Sequence, residues 1–340
     1  MPQQFDCGPQ LAVVAFSIAV VASSIEVHYV AMILMGVTGC LLVLGTTITL
    51  WWARTDYEAW EPEDADEAAS GADPTPAHRL PLRVAALRYV RGVAIALVGG
   101  FWAGALVTGP AIRLIMRLLA VTAGDAAQGR ITEADEVVGK INLDGTLALF
   151  IFGGILPAML SGAIYVLVRR WLPNGLLTGI TFGALHLVFA ATRIDPLRPG
   201  NPDFELVGPG WLAVATFGLA AILHGVAVVA IANRYSHAIP PHATSRAKWV
   251  RATLPLVPPA LLVLLFFPVL VPLAAGLVIA VVGSQIGLVV RAVHSRYALL
   301  AGRIVIAIVV ISLLPGTITD LGDVIVRHDD VASSNSRAHG

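Results

Sequence analysis

Charge is the scarcest thing in this chain. Only 13% of its residues are Asp, Glu, Lys or Arg, about half the usual share in soluble domains. That is too little to clothe a water-soluble fold. Cysteine is almost absent: Cys7 sits near the N-terminus and Cys40 inside an apolar run, so no disulfide framework is indicated. Net charge is zero, which gives a nucleic-acid phosphate backbone nothing to bind. No Lys or Arg precedes Leu11. The charged start of a cleaved signal peptide is therefore missing, and the first apolar segment is expected to be retained. There is no Gly-rich phosphate loop, His-Glu-x-x-His, cysteine pair or Gly-x-Ser-x-Gly, so no cofactor or metal is called for.

What is present is apolar. Mean hydropathy is +0.80, and several runs reach the roughly 18 to 25 residues that cross a hydrocarbon core of about 30 Å. They are continuously apolar rather than alternating, which argues for helices and against a β-barrel. The expected class is an all-α, polytopic integral membrane bundle of about nine spans, or eight if residues 254–290 cross once. A two-helix hairpin is expected over residues 1–53. The polar break Ser23, Ser24, Glu26 and His28 forms its turn, and Trp51, Trp52 and Trp60 form an interfacial belt. Residues 54–91 read as a linker, acidic at its start and basic at its end.

Residues 92–316 form the main bundle, with polar segments at 109–145 and 193–210. Gly100-Phe-Trp-Ala-Gly104 is a small-xxx-small pair that lets helices approach closely. Gly109-Pro110 is expected to break or kink the third span. Pro268 and Pro272 divide 254–290 into two short spans, with a tilted helix and a re-entrant piece as the alternative. Residues 317–340 read as a polar tail. Placing 54–91 in the cytoplasm puts 13 Lys or Arg inside and eight outside, with Arg303 within a span. This predicts a cell-membrane protein with a cytoplasmic N-terminus, an outer C-terminus, and both polar segments outside.

Few residues suggest chemistry. Arg113 and Arg117 share one helical face. The pair suits a lipid phosphate or an anionic substrate, or else snorkels to headgroups from an interfacial helix. Thr132-Glu-Ala-Asp135 has capping-box spacing. It predicts a short helix that carries Glu133, Asp135 and Glu136 near its start, with Glu136 and Lys140 paired four apart. Those acids could instead bind a cation or act in catalysis. His186 and His224 lie inside spans, where ionisable groups are functional suspects. With level helix ends their depths differ by about 12 Å at 1.5 Å per residue, which argues against direct contact. Ser284 and Gln285 suggest interhelical hydrogen bonds.

These readings give three functional expectations. The first is a membrane protein that binds a lipid headgroup or a partner protein through an outward polar cap. The second is a small-solute transporter or channel. The third is a membrane-embedded enzyme acting at the outer face.

Overall fold

The computed structural model describes residues 8–55, 82–198, 200–239, 253–286 and 295–338. It is 85% helical with no strands among the described residues. Five helices are long and apolar enough to cross a bilayer: Tyr29–Arg54, Leu82–Thr122, Leu143–Trp171, Gly210–Ala238 and Arg296–Val326. Of the expected linker 54–91, residues 56–81 lie outside the described residues, as do Cys7, Arg246, Lys248, Arg251 and Arg291, while its basic end from Leu82 on is helical.

The first element, α1 (Gly8–Thr55), is one helix. The expected hairpin is not formed: the chain stays helical through Ser23, Ser24, Glu26 and His28. None of these is Gly or Pro, and helix tolerates them at a fraction of a kcal/mol each. The third expected span also runs on. Helix α2 (Leu82–Ala103) passes through a π-helical turn, Gly104–Thr108, straight into α3 (Gly109–Thr122). Proline normally ends a helix because it lacks an N–H and its ring clashes with the carbonyl four residues back. Here the wider π turn absorbs that clash, and the N–H of Gly109 bonds to the carbonyl of Gly104, five back.

The return helix repeats the device. It begins as α4 (Leu143–Ala148), passes a π stretch at Leu149–Ile155, and continues as α5 (Leu156–Val168) with Pro157 in its first turn. The two π turns face one another across glycines. A Cβ on Gly154 would come within 2.7 Å of the Gly109 Cα. Gly100 and Gly162 lie in the same seam, where a Cβ would meet the carbonyls of Ala158 and Ala96 at 2.3 and 2.2 Å.

Helix α6 (Leu176–His186) ends in a third π turn, Leu187–Ala191. A looped connection holding the short α7 (Asp203–Leu206) leads to α8 (Gly210–Ala238), the most buried long helix. Helices α6 and α8 touch through Gly179, Gly183 and Gly225: a Cβ on Gly225 would lie 2.2 Å from the Gly183 nitrogen.

Helices α9 (Val257–Leu265) and α10 (Leu270–Gln285) belong to a pair bent by 112°. Ser284 bonds back to its own helix, at the Val281 carbonyl 2.7 Å away. The last helix, α11 (Arg296–Ala338), continues past Pro315 through the region expected to be a tail.

Contacts sort the helix ends into two groups. At the basic end, Arg91 donates to the Ser236 carbonyl at 3.0 Å, Arg234 lies over Trp52 at 5.9 Å, and Trp171 packs against Gly302. At the other end, Arg193 pairs with Asp320 at 3.3 Å. On α11, Gly302 and Asp320 are 18 residues apart, about 27 Å of helix, close to one hydrocarbon thickness. The end of α8 and the start of α11 lie at the same basic end, so the chain between them returns to the side it left.

The count of about nine spans is not confirmed: five candidate spans stand among the described residues, α1 is a single helix, and Leu176–Ala191 is a shorter apolar helix of 16 residues.

Candidate functional site

Two places gather polar groups: a cap beyond the non-basic end of the bundle, and a cluster at its middle. The cap is the segment 124–144 folded against the connection 193–209. It has its own apolar centre, where Ala127 and Val138 meet Leu197, Phe204 and Val207 over α3 and the first turns of α8.

The predicted helix at Thr132 is absent. Residues 131–137 form a tight reversal instead, closed by an Ile131–Val137 bridge and a Thr132 N–H to Glu136 carbonyl bond of 2.9 Å. Thr132 does use its hydroxyl as a cap does, accepting from the Glu136 N–H at 3.2 Å. Asp135 sits in the left-handed region at φ 58°, which short polar side chains tolerate in turns. Gly139 at φ 88° is left-handed and cannot continue a helix there. Without a helix, the expected Glu136–Lys140 helical pair has no basis.

Three cap acids, Glu133, Asp195 and Asp203, are committed to structure. Glu133 forms an ion pair with Arg198, and its N–H donates to Asp203 at 2.8 Å. Arg198 also faces Asp195 at 3.8 Å. Asn201 is buried and holds the loop by donating to the Pro196 carbonyl at 3.0 Å and accepting from the Asp203 N–H at 2.9 Å. Burial pushes the Asp195 carboxyl above the usual carboxylate range. Arg198 opposes that rise, and Glu133 and Asp203 add to it.

The two arginines differ. Arg117 donates to the Gly139 carbonyl at 3.1 Å and ties α3 to the cap. Arg113 keeps Nε and Nη2 buried and without a hydrogen-bond partner. These two nitrogens form one edge of the guanidinium, the fork that grips a carboxylate or phosphate with two parallel bonds. Arg113 lies 22 residues beyond Arg91, about 33 Å along the helix, a separation close to one hydrocarbon thickness. Both belong to one long helix rather than to a separate interfacial piece.

The middle cluster corrects another expectation. His186 and His224 do meet, with ring centroids 4.7 Å apart. The helix ends are not level, so residue counts from them do not give the relative depths of the two rings. Helix α6 stops early, and the connection stands on top of it. Ala213 and Phe217 of α8 are consequently buried among cap residues. His224 lies 14 residues from either end of α8, about 21 Å from each.

Its Nδ1 is 2.8 Å from the Thr108 hydroxyl, and its Nε2 is 2.8 Å from the Ser161 hydroxyl. Thr108 in turn bonds the Ala103 carbonyl at 3.2 Å. A neutral ring with its proton on Nδ1 satisfies every group: Nδ1–H to Thr108, Thr108 to Ala103, and Ser161 to Nε2. Phe182 extends the row, 6.1 Å from His186 and 5.5 Å from Tyr165.

No family model, curated protein or solved structure matches this chain. The site therefore rests on its own geometry. No group of three or more metal-binding side chains occurs among the described residues. The sequence reading missed Thr108 and Ser161. The signal available for Thr108 was its place immediately before Gly109-Pro110. It also missed the Arg193–Asp320 pair, whose signal was an acid on a helix that continues past Pro315.

Proposed function

We propose that this chain is a multi-pass membrane protein whose cap faces outward and binds the phosphate of a lipid headgroup through Arg113. The observation that carries the reading is the buried, unpartnered Nε and Nη2 edge of Arg113, one helix-length across the apolar bundle from Arg91. Leaving buried donors unpaired costs about 1–3 kcal/mol per group, and an entering phosphate oxygen offsets it with a charge-assisted bond. Arg117 plays the supporting part, fixing α3 to the cap through Gly139.

The basic end faces the cytoplasm in this reading, because most Lys and Arg lie there. The unbroken α1 then carries the N-terminus to the outer side, contrary to the hairpin expectation, and α11 ends outside as well.

Native mass spectrometry of the purified protein tests the binding. The wild type is expected to retain phospholipid. Arg113→Gln is expected to lose it, and Arg117→Gln is expected to keep most of it. Equal retention by wild type and Arg113→Gln would remove the reading.

A second reading, a small-solute transporter, has its own support. His186 and His224 sit mid-bundle, and π turns of the kind that concentrate at functional sites lie beside them. Flux of a labelled solute into proteoliposomes, abolished by His224→Phe, would favour it.

A further inference from the structure

The basic end of the bundle holds cations that the fold does not use. Trp171, the last residue of its candidate span, lies with its indole against α11, where a Cβ on Gly302 would come within 2.3 Å of Nε1. That contact brings Arg170 and Arg303, the chain neighbours of Trp171 and Gly302, to one junction between the turn that ends α5 and the start of α11. Neither arginine has a hydrogen-bond or ion-pair partner among the described residues. Both are accessible: Arg303 is exposed and Arg170 half-buried. Arg303 precedes Asp320 by 17 residues, about 26 Å of helix, so the junction lies close to one hydrocarbon thickness from the cap end. A tryptophan there suits headgroup depth.

No Asp or Glu occurs over residues 145–194 or 206–319, the stretches that carry both arginines. The acids of 56–73 lie outside the described residues. Orientation in the bilayer needs only an excess of Lys and Arg on one side. Two accessible guanidinia beside a tryptophan go further, because each presents a planar edge of donors to a phosphate at headgroup depth. An ammonium or choline on the same lipid finds no carboxylate at the junction and is repelled by the arginines. We infer that this junction is a second lipid site, apart from Arg113, and that it takes a phospholipid of net negative charge. Its phosphodiester accepts from Arg170 and Arg303, and its alcohol headgroup brings no cation. The accessible junction lets this lipid exchange with the bilayer, so it is not the lipid kept through purification at Arg113.

The test adds equimolar phosphatidylglycerol, phosphatidylethanolamine and phosphatidylcholine to the full-length protein in detergent and reads the adducts by native mass spectrometry. The wild type is expected to take up phosphatidylglycerol about fivefold over either competitor, the worth of one cation near an anionic headgroup. Raised salt is expected to shrink that ratio. Arg170→Gln with Arg303→Gln is expected to bring the three lipids level, and Arg170→Lys with Arg303→Lys to keep most of the preference. Arg113→Gln is expected to lower the lipid that survives purification and to leave the ratio among added lipids unchanged.

A wild type without that preference, as when another part of the chain neutralises the two arginines, overturns this inference. So does a preference that survives the paired Gln variant, or one that disappears with Arg113→Gln alone. Where the paired variant does not fold, Arg303→Gln at its exposed position decides, and a ratio as high as that of the wild type sinks the site. The Arg113 reading stands or falls separately, on the lipid retained through purification.

Discussion

At the scale of single residues, two side chains carry opposite kinds of information. Arg113 is buried on one edge without partners, and such a group destabilises whatever holds it unless a ligand is present. Arg113→Met keeps the stem and removes the charge. In lipid-stripped detergent it is expected to raise the thermal midpoint, and with phospholipid added the wild type is expected to regain the lead. A variant less stable under both conditions would show that Arg113 is structural only. His224 is the converse, a buried polar group with both nitrogens satisfied. Ser161→Ala leaves Nε2 without a donor, and a loss of about 1–3 kcal/mol is expected from thermal unfolding in detergent. An unchanged midpoint would mean that the Ser161 bond contributes nothing.

At the scale of elements, the long helices survive their prolines by a repeated arrangement. Two of the three π turns end just before a residue–proline pair, Gly109-Pro110 or Leu156-Pro157. The turns are packed against each other through Gly109 and Gly154. Gly154→Leu drives a side chain into the Gly109 backbone, and a loss of about 1–3 kcal/mol is expected from overpacking, measured as a lower unfolding midpoint.

The close approach at Gly100 and Gly104 was legible in the sequence, because small residues four apart say where backbones can touch. The fate of Gly109-Pro110 was not, since proline alone does not reveal that a π turn will absorb it. Thr132-Glu-Ala-Asp135 was misread because a cap motif is written locally. Whether a helix grows from it depends on the left-handed Gly139 downstream and on Val138 docking under the connection. The His186–His224 contact was lost for a similar reason. Relative helix height is set by a 17-residue connection, 193–209, whose packing no periodicity encodes.

At the scale of the whole molecule, an apolar bundle separates a basic end from an ordered polar cap. The cap acids make its stability depend on pH. The Asp195 carboxyl is raised in the folded state, so ionising it works against folding. That penalty is in force at neutral pH and disappears as pH falls through the raised folded value toward the usual carboxylate range. The side chain is 65% exposed, so water screens the effect and keeps it small. Slower amide exchange in residues 193–209 is expected on mild acidification, and Asp195→Asn is expected to flatten that dependence.

The unbroken α1 makes a claim about sidedness. With the native cysteines removed, Gln10→Cys is expected to react with an impermeant thiol reagent in intact cells. A hairpin would place it in the cytoplasm and protect it.

The most direct test of the account labels the cap itself, at the exposed Arg130. Arg130→Cys and Arg170→Cys, in the same cysteine-free background, are compared in intact and permeabilised cells. Position 130 is expected to react in intact cells and position 170 only after permeabilisation. The reverse pattern would place the cap in the cytoplasm and contradict the outward lipid site built on it.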